Sequence, residues 1–566
     1  MASNDSPVLP SWAEALKQRY ISGASSLFVL HGNIHDLVAW DGGFVPLRQF
    51  LVEMLERTKD IVAFYDVASG LHFGSKTMEA PFRTSVNASR LAQGRAQLPA
   101  DLPRDAFRLF PYVETLLMNA SSKAALVVEY AETVIPDGDV SFMGEQDRAM
   151  RVTLQRWSSD PAVLTTDNII ILVTENLANL DRTVRSSPGL TPIEILLPNE
   201  EERGDYIDHF LDAEGRVGMS AERIAVATAG LTNFQIESMC REVQMDGGKL
   251  SPERIQVIKR QAIEQECFGL VEFVDSEHDF SVVGGMDAIK ASLRRVIQSM
   301  KRGEKQRVPM GILIVGPMGT GKSFMMEAFA NEIGLTTLKF KNFRDKWVGS
   351  TEGNLEKILN VVKALGNTLV IIDEGDRSIG GDSGGGDGGV DSRVTARLKE
   401  FMSDTSHRGS IMFAMMTNRP DKLDADMKRP GRFDLKMPFF PPQNDDDRMA
   451  IIKALLKKNK IPHRVSDYPS FSSAVEGLTG AEIEAILLSS LNFAEDRGSE
   501  KVTDDDLMAA AADFIPSRDS AMMRYMELLA VFECSSRQML PPKYAEMTTE
   551  QLNADLRLQR GRLLKA

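Results

Sequence analysis

The chain has 566 residues, too many for one hydrophobic core, so roughly three to four domains are expected. Its 43% hydrophobic and 26% charged residues are globular values, and a net charge of −14 speaks against general nucleic-acid or membrane-surface binding. Cys240, Cys267 and Cys534 lack metal-site spacing, the N-terminus lacks a basic-then-apolar signal, and no apolar run approaches membrane-spanning length, so a soluble cytoplasmic protein is expected.

In chain order, residues 1–10 read as a flexible arm. From Ser11, apolar strand-like runs (Leu27–Leu30, Asp60–Tyr65, Ala125–Val128, Asn168–Val173) alternate with helical stretches, which predicts a parallel sheet flanked by helices over 11–195. Residues 196–268 read as helices only, and 269–282 as a polar, extended linker. A second strand–helix alternation places an α/β domain at 283–442. Helical periodicity follows over 443–520, and 521–566 form a helical tail with a terminal candidate at Thr549–Lys565. The expected fold class is α/β, with two tandem units, each a parallel-sheet domain followed by a small helical one.

An internal repeat supports the tandem reading. Thr174-Glu-Asn-Leu-Ala-Asn-Leu-Asp181 matches Thr417-Asn-Arg-Pro-Asp-Lys-Leu-Asp424, 243 residues later. Gly230-Leu-Thr-Asn-Phe-Gln-Ile-Glu237 matches Gly477-Leu-Thr-Gly-Ala-Glu-Ile-Glu484, 247 residues later. Leu197-Pro-Asn-Glu-Glu-Glu-Arg203 echoes Phe440–Arg448. One such pair arises easily by chance; three in order at a nearly constant offset do not.

The chemistry lies in the second copy. Ile312–Val315 reads as a buried strand running into Gly316-x-x-x-x-Gly321-Lys322-Ser323, with a helix predicted over Phe324–Glu332. Strand before and helix after is the setting of a phosphate-binding loop. Glycines let successive backbone N–H groups face the phosphates, and the new helix adds the positive end of its dipole. Lys322 would reach the β- and γ-phosphates of ATP, and the Ser323 hydroxyl would ligate Mg2+. Leu369-Val-Ile-Ile-Asp-Glu374 is an apolar strand ending in two carboxylates: Asp373 for Mg2+, Glu374 to polarise the attacking water. Asn418, after the predicted strand Ile411–Met416, is placed to orient that water; as a bare asparagine it is only a turn former. Lys428-Arg-Pro-Gly-Arg432 puts Arg429 and Arg432 on a turn. Taken alone this is a solvated basic loop; beside the other motifs, its guanidinium groups suit charge neutralisation at a γ-phosphate.

Val283-Gly-Gly-Met-Asp-Ala-Ile-Lys290, Gly316–Ser323, Trp347-Val-Gly-Ser-Thr-Glu-Gly-Asn-Leu355, Ile371-Ile-Asp-Glu374, Thr417-Asn-Arg-Pro420, Arg429-Pro-Gly-Arg-Phe433 and Gly477-Leu-Thr-Gly-Ala-Glu482 follow in the order found in AAA ATPases. Over roughly 275–530 the chain resembles the branch containing katanin, spastin, valosin-containing protein and the proteasomal ATPases. The resemblance implies two AAA-type units and a homo-oligomer, a hexameric ring with nucleotide between protomers, Arg429 and Arg432 acting in trans, and Asn418 as sensor. It implies nucleotide contacts from Pro317, Met318, Gly319, Thr320, Gly321, Lys322, Ser323 and Phe324, with adenine between Val283-Gly284 and Gly480-Ala481. Lys346-Trp347-Val348 takes the place of the substrate-gripping pore loop, and Gly380–Gly389 that of a second pore loop. A departure stands at Gly375, where the family has an apolar residue. The implied activity is Mg2+-dependent ATP hydrolysis driving a remodeller or unfoldase of protein substrates, met directly or through an adaptor, without membrane and without nucleic acid. A nucleotide-switched scaffold or chaperone that threads nothing is the alternative.

In the first copy, His31-Gly-Asn-Ile-His-Asp-Leu-Val38 aligns with the phosphate loop, with Val38 and Ala39 where the lysine and hydroxyl should be. Glu129-Tyr130 aligns with Asp373-Glu374, and Arg185 is the one retained arginine. His31 and His35 read as packing or loop histidines. This unit is expected to be a degenerate, inactive one kept for ring building or partner docking.

Overall fold

Two six-stranded sheets, one in each half of the chain, share the order of their five parallel strands. The computed structural model describes residues 8–214, 218–245, 250–341, 351–375, 388–516 and 519–563. Residues 1–265 form one compact unit and 266–566, apart from 352–364, the other. In the first, β1 (Leu27–Gly32), β2 (Leu37–Trp40), β3 (Gly43–Pro46), β4 (Ile61–Asp66), β5 (Gly70–Phe73), β6 (Ala124–Val128), β7 (Ile169–Thr174) and β8 (Leu190–Ile195) appear in turn. The sheet runs β5-β4-β6-β7-β1-β8, parallel except for the β4–β5 pair, and β2–β3 stand apart as an antiparallel hairpin.

The second unit has β9 (Val271–Phe273), β10 (Gly311–Val315), β11 (Thr336–Phe340), β12 (Thr368–Ile372), β13 (Ile411–Thr417) and β14 (Leu435–Pro438). Its order is β14-β10-β13-β12-β11-β9, parallel except for β9 against β11. Read from the same edge, β8-β1-β7-β6-β4 corresponds to β14-β10-β13-β12-β11, so the sequence repeat is a repeat of topology. Residues 271–273 correct the linker expected over 269–282: this short stretch pairs with β11 through Glu272 and Lys339 as an edge strand.

β6, β7, β10, β12 and β13 are buried at every position. Their near-continuous Val/Ile/Leu/Met/Ala runs reflect a parallel sheet covered on both faces. In the second unit Ile312 and Ile314 share a core with Met325 and Phe329 of the helix Lys322–Ile333 and Leu293 of the helix Asp287–Lys301.

Four helices follow each sheet: Glu200–Glu214, Ala221–Ala227, Asn233–Met245 and Pro252–Glu266, then Asp445–Lys458, Tyr468–Ala474, Gly480–Asp496 and Asp504–Asp513. The repeated sequences are their caps. Thr232 and Gln235 exchange backbone-to-side-chain bonds (3.0 and 3.1 Å), as do Thr479 and Glu482 (2.8 and 3.3 Å), a capping box in both copies. Gly230 and Gly477 precede them with φ of +86° and +79°. Asn199 caps Glu202 N–H as Asn444 caps Asp447 N–H, and each is followed by a buried arginine, Arg203 and Arg448. The tail is tied to the second sheet: Ser520–Glu533 leads into Ser535, whose N–H and hydroxyl donate to the Lys436 carbonyl of β14. No helix among the described residues is long and apolar enough to cross a membrane.

Candidate functional site

β10 delivers the chain into the phosphate loop. Gly316 has no room for a side chain, because a Cβ there would lie 2.2 Å from the Phe439 carbonyl oxygen. Gly319, at φ +75°, would place a Cβ 2.8 Å from Thr479 Oγ1. Thr320 Oγ1 donates to the Pro317 carbonyl at 2.9 Å and braces the turn, Met318 is exposed, and Gly321 leads into Lys322, the first residue of its helix. Lys322 Nζ donates to the carbonyls of Gly316 (2.8 Å) and Pro317 (2.6 Å) and to Asn418 Oδ1 (2.5 Å). The structure therefore joins the loop lysine to the expected sensor. Ser323 is exposed beside it, and Phe324 lies under the Lys458 ammonium, 4.7 Å from the ring centre.

Strand register explains this meeting: Val315 is opposite Thr417, and Ile372 opposite Met415, so the ends of β10, β13 and β12 lie side by side. Asp373 emerges there, 3.3 Å from Lys339 Nζ, with Oδ1 accepting the Glu374 N–H at 3.0 Å. Glu374 has φ +47°, a left-handed conformation rare outside glycine and concentrated at functional sites. Tyr130, its counterpart in the first copy, has φ +50°. Gly375 has a packing reason, since a Cβ would lie 2.6 Å from Met415 Cγ and Sδ. Met415 fills the room that an apolar residue at 375 would need.

The expected base-binding walls are placed by separate contacts. Ala481 N–H donates to the Gly319 carbonyl at 3.0 Å, which seats Gly480-Ala481 on the phosphate loop. Gly284 packs on the helix Asp445–Lys458, its absent Cβ 2.4 Å from Ile451 Cα, and Val283 is buried beside it.

Arg429 and Arg432 sit elsewhere. A Cβ on Gly311, which opens β10, would lie 2.6 Å from the Arg432 carbonyl oxygen, and the Asp434 carboxylate accepts from Met310 N–H (3.0 Å) and Gly431 N–H (2.6 Å). The arginine turn is thus fastened to the start of β10, whereas the phosphate loop leaves its end, about 16 Å away at the usual strand rise. Arg432 donates to Ser403 Oγ (2.9 Å) and the Asp426 carbonyl (2.6 Å), while Arg429 is 72% exposed beside Asp426. Sequence reasoning missed Glu533, a buried carboxylate of the tail helix that accepts from Lys428 Nζ (2.5 Å) and Lys436 Nζ (3.1 Å) and anchors this turn; no local pattern marks it. Lys346, Trp347 and Val348, and residues 380–387 of the glycine-rich run, lie outside the described residues.

In the first unit a hairpin replaces the phosphate loop. β1 ends at Gly32, and β2–β3 intervene before the helix Leu47–Glu56. Asp41 (φ +49°) and Gly42 (φ +78°) make the turn, and this Asp-Gly pair is the sequence signal that would have revealed it. Asp36, 5% exposed, accepts from Asn233 and Phe234 N–H at 3.0 Å each and from Asn33 Nδ2 at 3.0 Å. A carboxylate therefore covers the helix N-terminus whose counterpart, Gly480-Ala481, meets the phosphate loop. Burial pushes the Asp36 carboxyl pKa up against these bonds, and pushes that of His31 on β1 down. Asp36→Ala strands two buried N–H groups, so a loss of about 1–3 kcal/mol is expected in the first unit's urea transition.

The second unit is thus a P-loop α/β nucleotide-binding module, and the first has the same topology without the loop. Residues 312–440 match the family described as "ATPase family associated with various cellular activities (AAA)". Residues 3–196 match the AAA+ chaperone N-terminal Rossmann-like domain, and 201–268 the AAA+ chaperone second helical domain. In chain order the matches give an AAA+ chaperone-like α/β domain, its helical domain and then an AAA ATPase domain. It is 25% identical over 352 residues to the cell division cycle protein 48 homolog of Archaeoglobus fulgidus, covering 56% of this chain and 48% of that one. It is 31% identical over 242 residues to a probable inactive ATP-dependent zinc metalloprotease (FTSHI 2, chloroplastic) of Arabidopsis thaliana, covering 41% and 27%. It is 30% identical over 258 residues to the ATP-dependent zinc metalloprotease FtsH of Caldicellulosiruptor bescii, covering 44% and 41%. Each match spans less than half of the relative's length.

Proposed function

We propose that this protein is an ATP hydrolase of the second unit that works as a ring-forming, hexameric remodeller of protein substrates, its first unit being catalytically inactive. The observation that carries the reading is the contact of Lys322 with Asn418 beside the Asp373-Glu374 strand end. Lys322 and the loop N–H groups bind the triphosphate, Glu374 accepts the proton of the attacking water, and Asn418 orients that water. The donor set fits Mg2+, which the exposed Ser323 hydroxyl and the Asp373 carboxylate would hold; when bound, the ion neutralises phosphate charge. Val283, Gly284, Gly480 and Ala481 form the base site. Arg429 and Arg432, fastened at the far end of β10, serve a neighbouring protomer.

The similarity to a cell division cycle protein 48 homolog and to ATP-dependent proteases supports action on polypeptides. Pore threading rests on Lys346-Trp347-Val348 in the sequence. Trp347→Ala is expected to keep hydrolysis while losing unfolding of a fluorescent client; unchanged unfolding would favour the nucleotide-switched scaffold. Cross-linking and pull-down with Glu374→Gln in ATP should retain polypeptide clients, and recovery equal to wild type in ADP would argue against remodelling.

A further inference from the structure

We propose that the first unit holds one first-row divalent transition-metal ion, best matched by Zn2+, between Asp66, His72 and Glu129. These residues end β4, lie in β5 and follow β6, and one ligand atom from each lies within 4.8 Å of the other two. Glu129 occupies the position that Asp373 takes in the second unit. The degenerate copy thus keeps a carboxylate at the place where its partner copy presents one, and has added an imidazole.

The histidine carries the argument. His72 Nδ1 lies 3.1 Å from the Gly70 carbonyl oxygen. A carbonyl only accepts, so Nδ1 bears the proton and donates. Nε2 is buried, has no hydrogen-bond partner, and faces Glu129 Oε2 at 3.7 Å. A proton there would be a buried donor with no acceptor at bonding distance, and a bare lone pair would face a carboxylate. A shared cation resolves both.

The surroundings orient the ligands as outer shells of metal sites do. The imidazole is stacked on Phe64, with centroids 6.0 Å apart and planes 16° from parallel. Asp66 Oδ1 accepts from Ala68 N–H (2.8 Å) and Ser69 N–H (2.7 Å), which fixes the carboxylate. Arg48 also borders the cluster, its guanidinium 5.0 Å from the Phe64 ring centre and 3.4 Å from Glu129 Oε2. Its side chain is 49% exposed, so it neutralises Glu129 from the solvent side and has room to move off.

One nitrogen and two carboxylates favour a borderline ion over Mg2+ or Ca2+, which take all-oxygen shells. Bonds of about 2.0–2.2 Å draw the three groups inward and leave a fourth position for water.

The test uses the full-length chain stripped with chelator, titrated with ZnCl2 against a chromophoric zinc indicator in excess Mg2+. Wild type is expected to bind one Zn2+ per chain at this site and to melt at a higher temperature in Zn2+. His72→Gln is expected to weaken that binding at least about tenfold and to abolish the thermal shift. Glu129→Gln, checked for native circular dichroism, should behave likewise. Arg48→Ala removes the competing cation and should tighten binding. Absence of Zn2+ binding in wild type, or equal affinity in wild type and a folded His72→Gln or Glu129→Gln protein, would overturn the proposal, as would weaker binding in Arg48→Ala.

Discussion

Glu374→Gln is expected to bind ATP as wild type does and to hydrolyse it at least about 100-fold more slowly, which is about 2.7 kcal/mol of barrier. The carboxylate stands at the end of β12, next to the strand ends that bring Lys322 and Asn418 together. Gln keeps the volume and the hydrogen bonding but cannot take a proton from water. Lys322→Ala should lose as much turnover for another reason. It removes the cation that the loop carbonyls and Asn418 hold in place, so ATP binding itself fails. Steady-state turnover together with equilibrium binding of a fluorescent ATP analogue separates the two. Normal hydrolysis by Glu374→Gln would move the base to another residue.

Arg432→Ala should leave ATP binding intact while lowering turnover by about 1000-fold or more, the scale of an arginine acting on the transition state. The reason lies within the sheet: Gly311 and the Arg432 carbonyl are packed together at the start of β10, and the phosphate loop leaves at its end. In the proposed ring, a site built this way is completed by a second copy. Rings mixed from Arg432→Ala and Lys322→Ala chains should therefore recover part of the activity, since some interfaces regain one intact loop and one intact arginine. No recovery in rings shown to be mixed would place the arginine in its own chain's site.

Much of this was legible in the sequence because the signals are local. Gly316–Ser323 must be glycine-rich to fit under Phe439 and Thr479, and Ile312–Val315 must be apolar to lie inside a sheet covered on both faces. The repeat was legible for a related reason: Gly230–Gln235 and Gly477–Glu482 preserve a helix cap, a device that specifies its own few residues. What escaped depends on distant partners. β9 carries only Val-Glu-Phe, and becomes a strand because β11 offers it an edge. β8, with Pro192 and Glu194 inside it, gains its place from β1. Glu533 reads as an ordinary helix-end carboxylate until two lysines from the β14 region close on it. Asp36 looked like part of a failed phosphate loop, whereas its role is set by Asn233 and Phe234, nearly 200 residues on. The β2–β3 hairpin is different, since Asp41-Gly42 marks its turn locally, just past the segment that aligns with the phosphate loop of the second copy.

The claim that joins these observations is that one unit of the two handles nucleotide. Isothermal titration of ATP into the full-length Glu374→Gln chain, with Mg2+ present, tests it most directly, because binding sites are counted without turnover. One ATP per chain, abolished when Lys322→Ala is added, is the result predicted. Two ATP per chain, or one that survives Lys322→Ala, would show that the first unit binds triphosphate through groups other than a glycine loop, and would contradict the account.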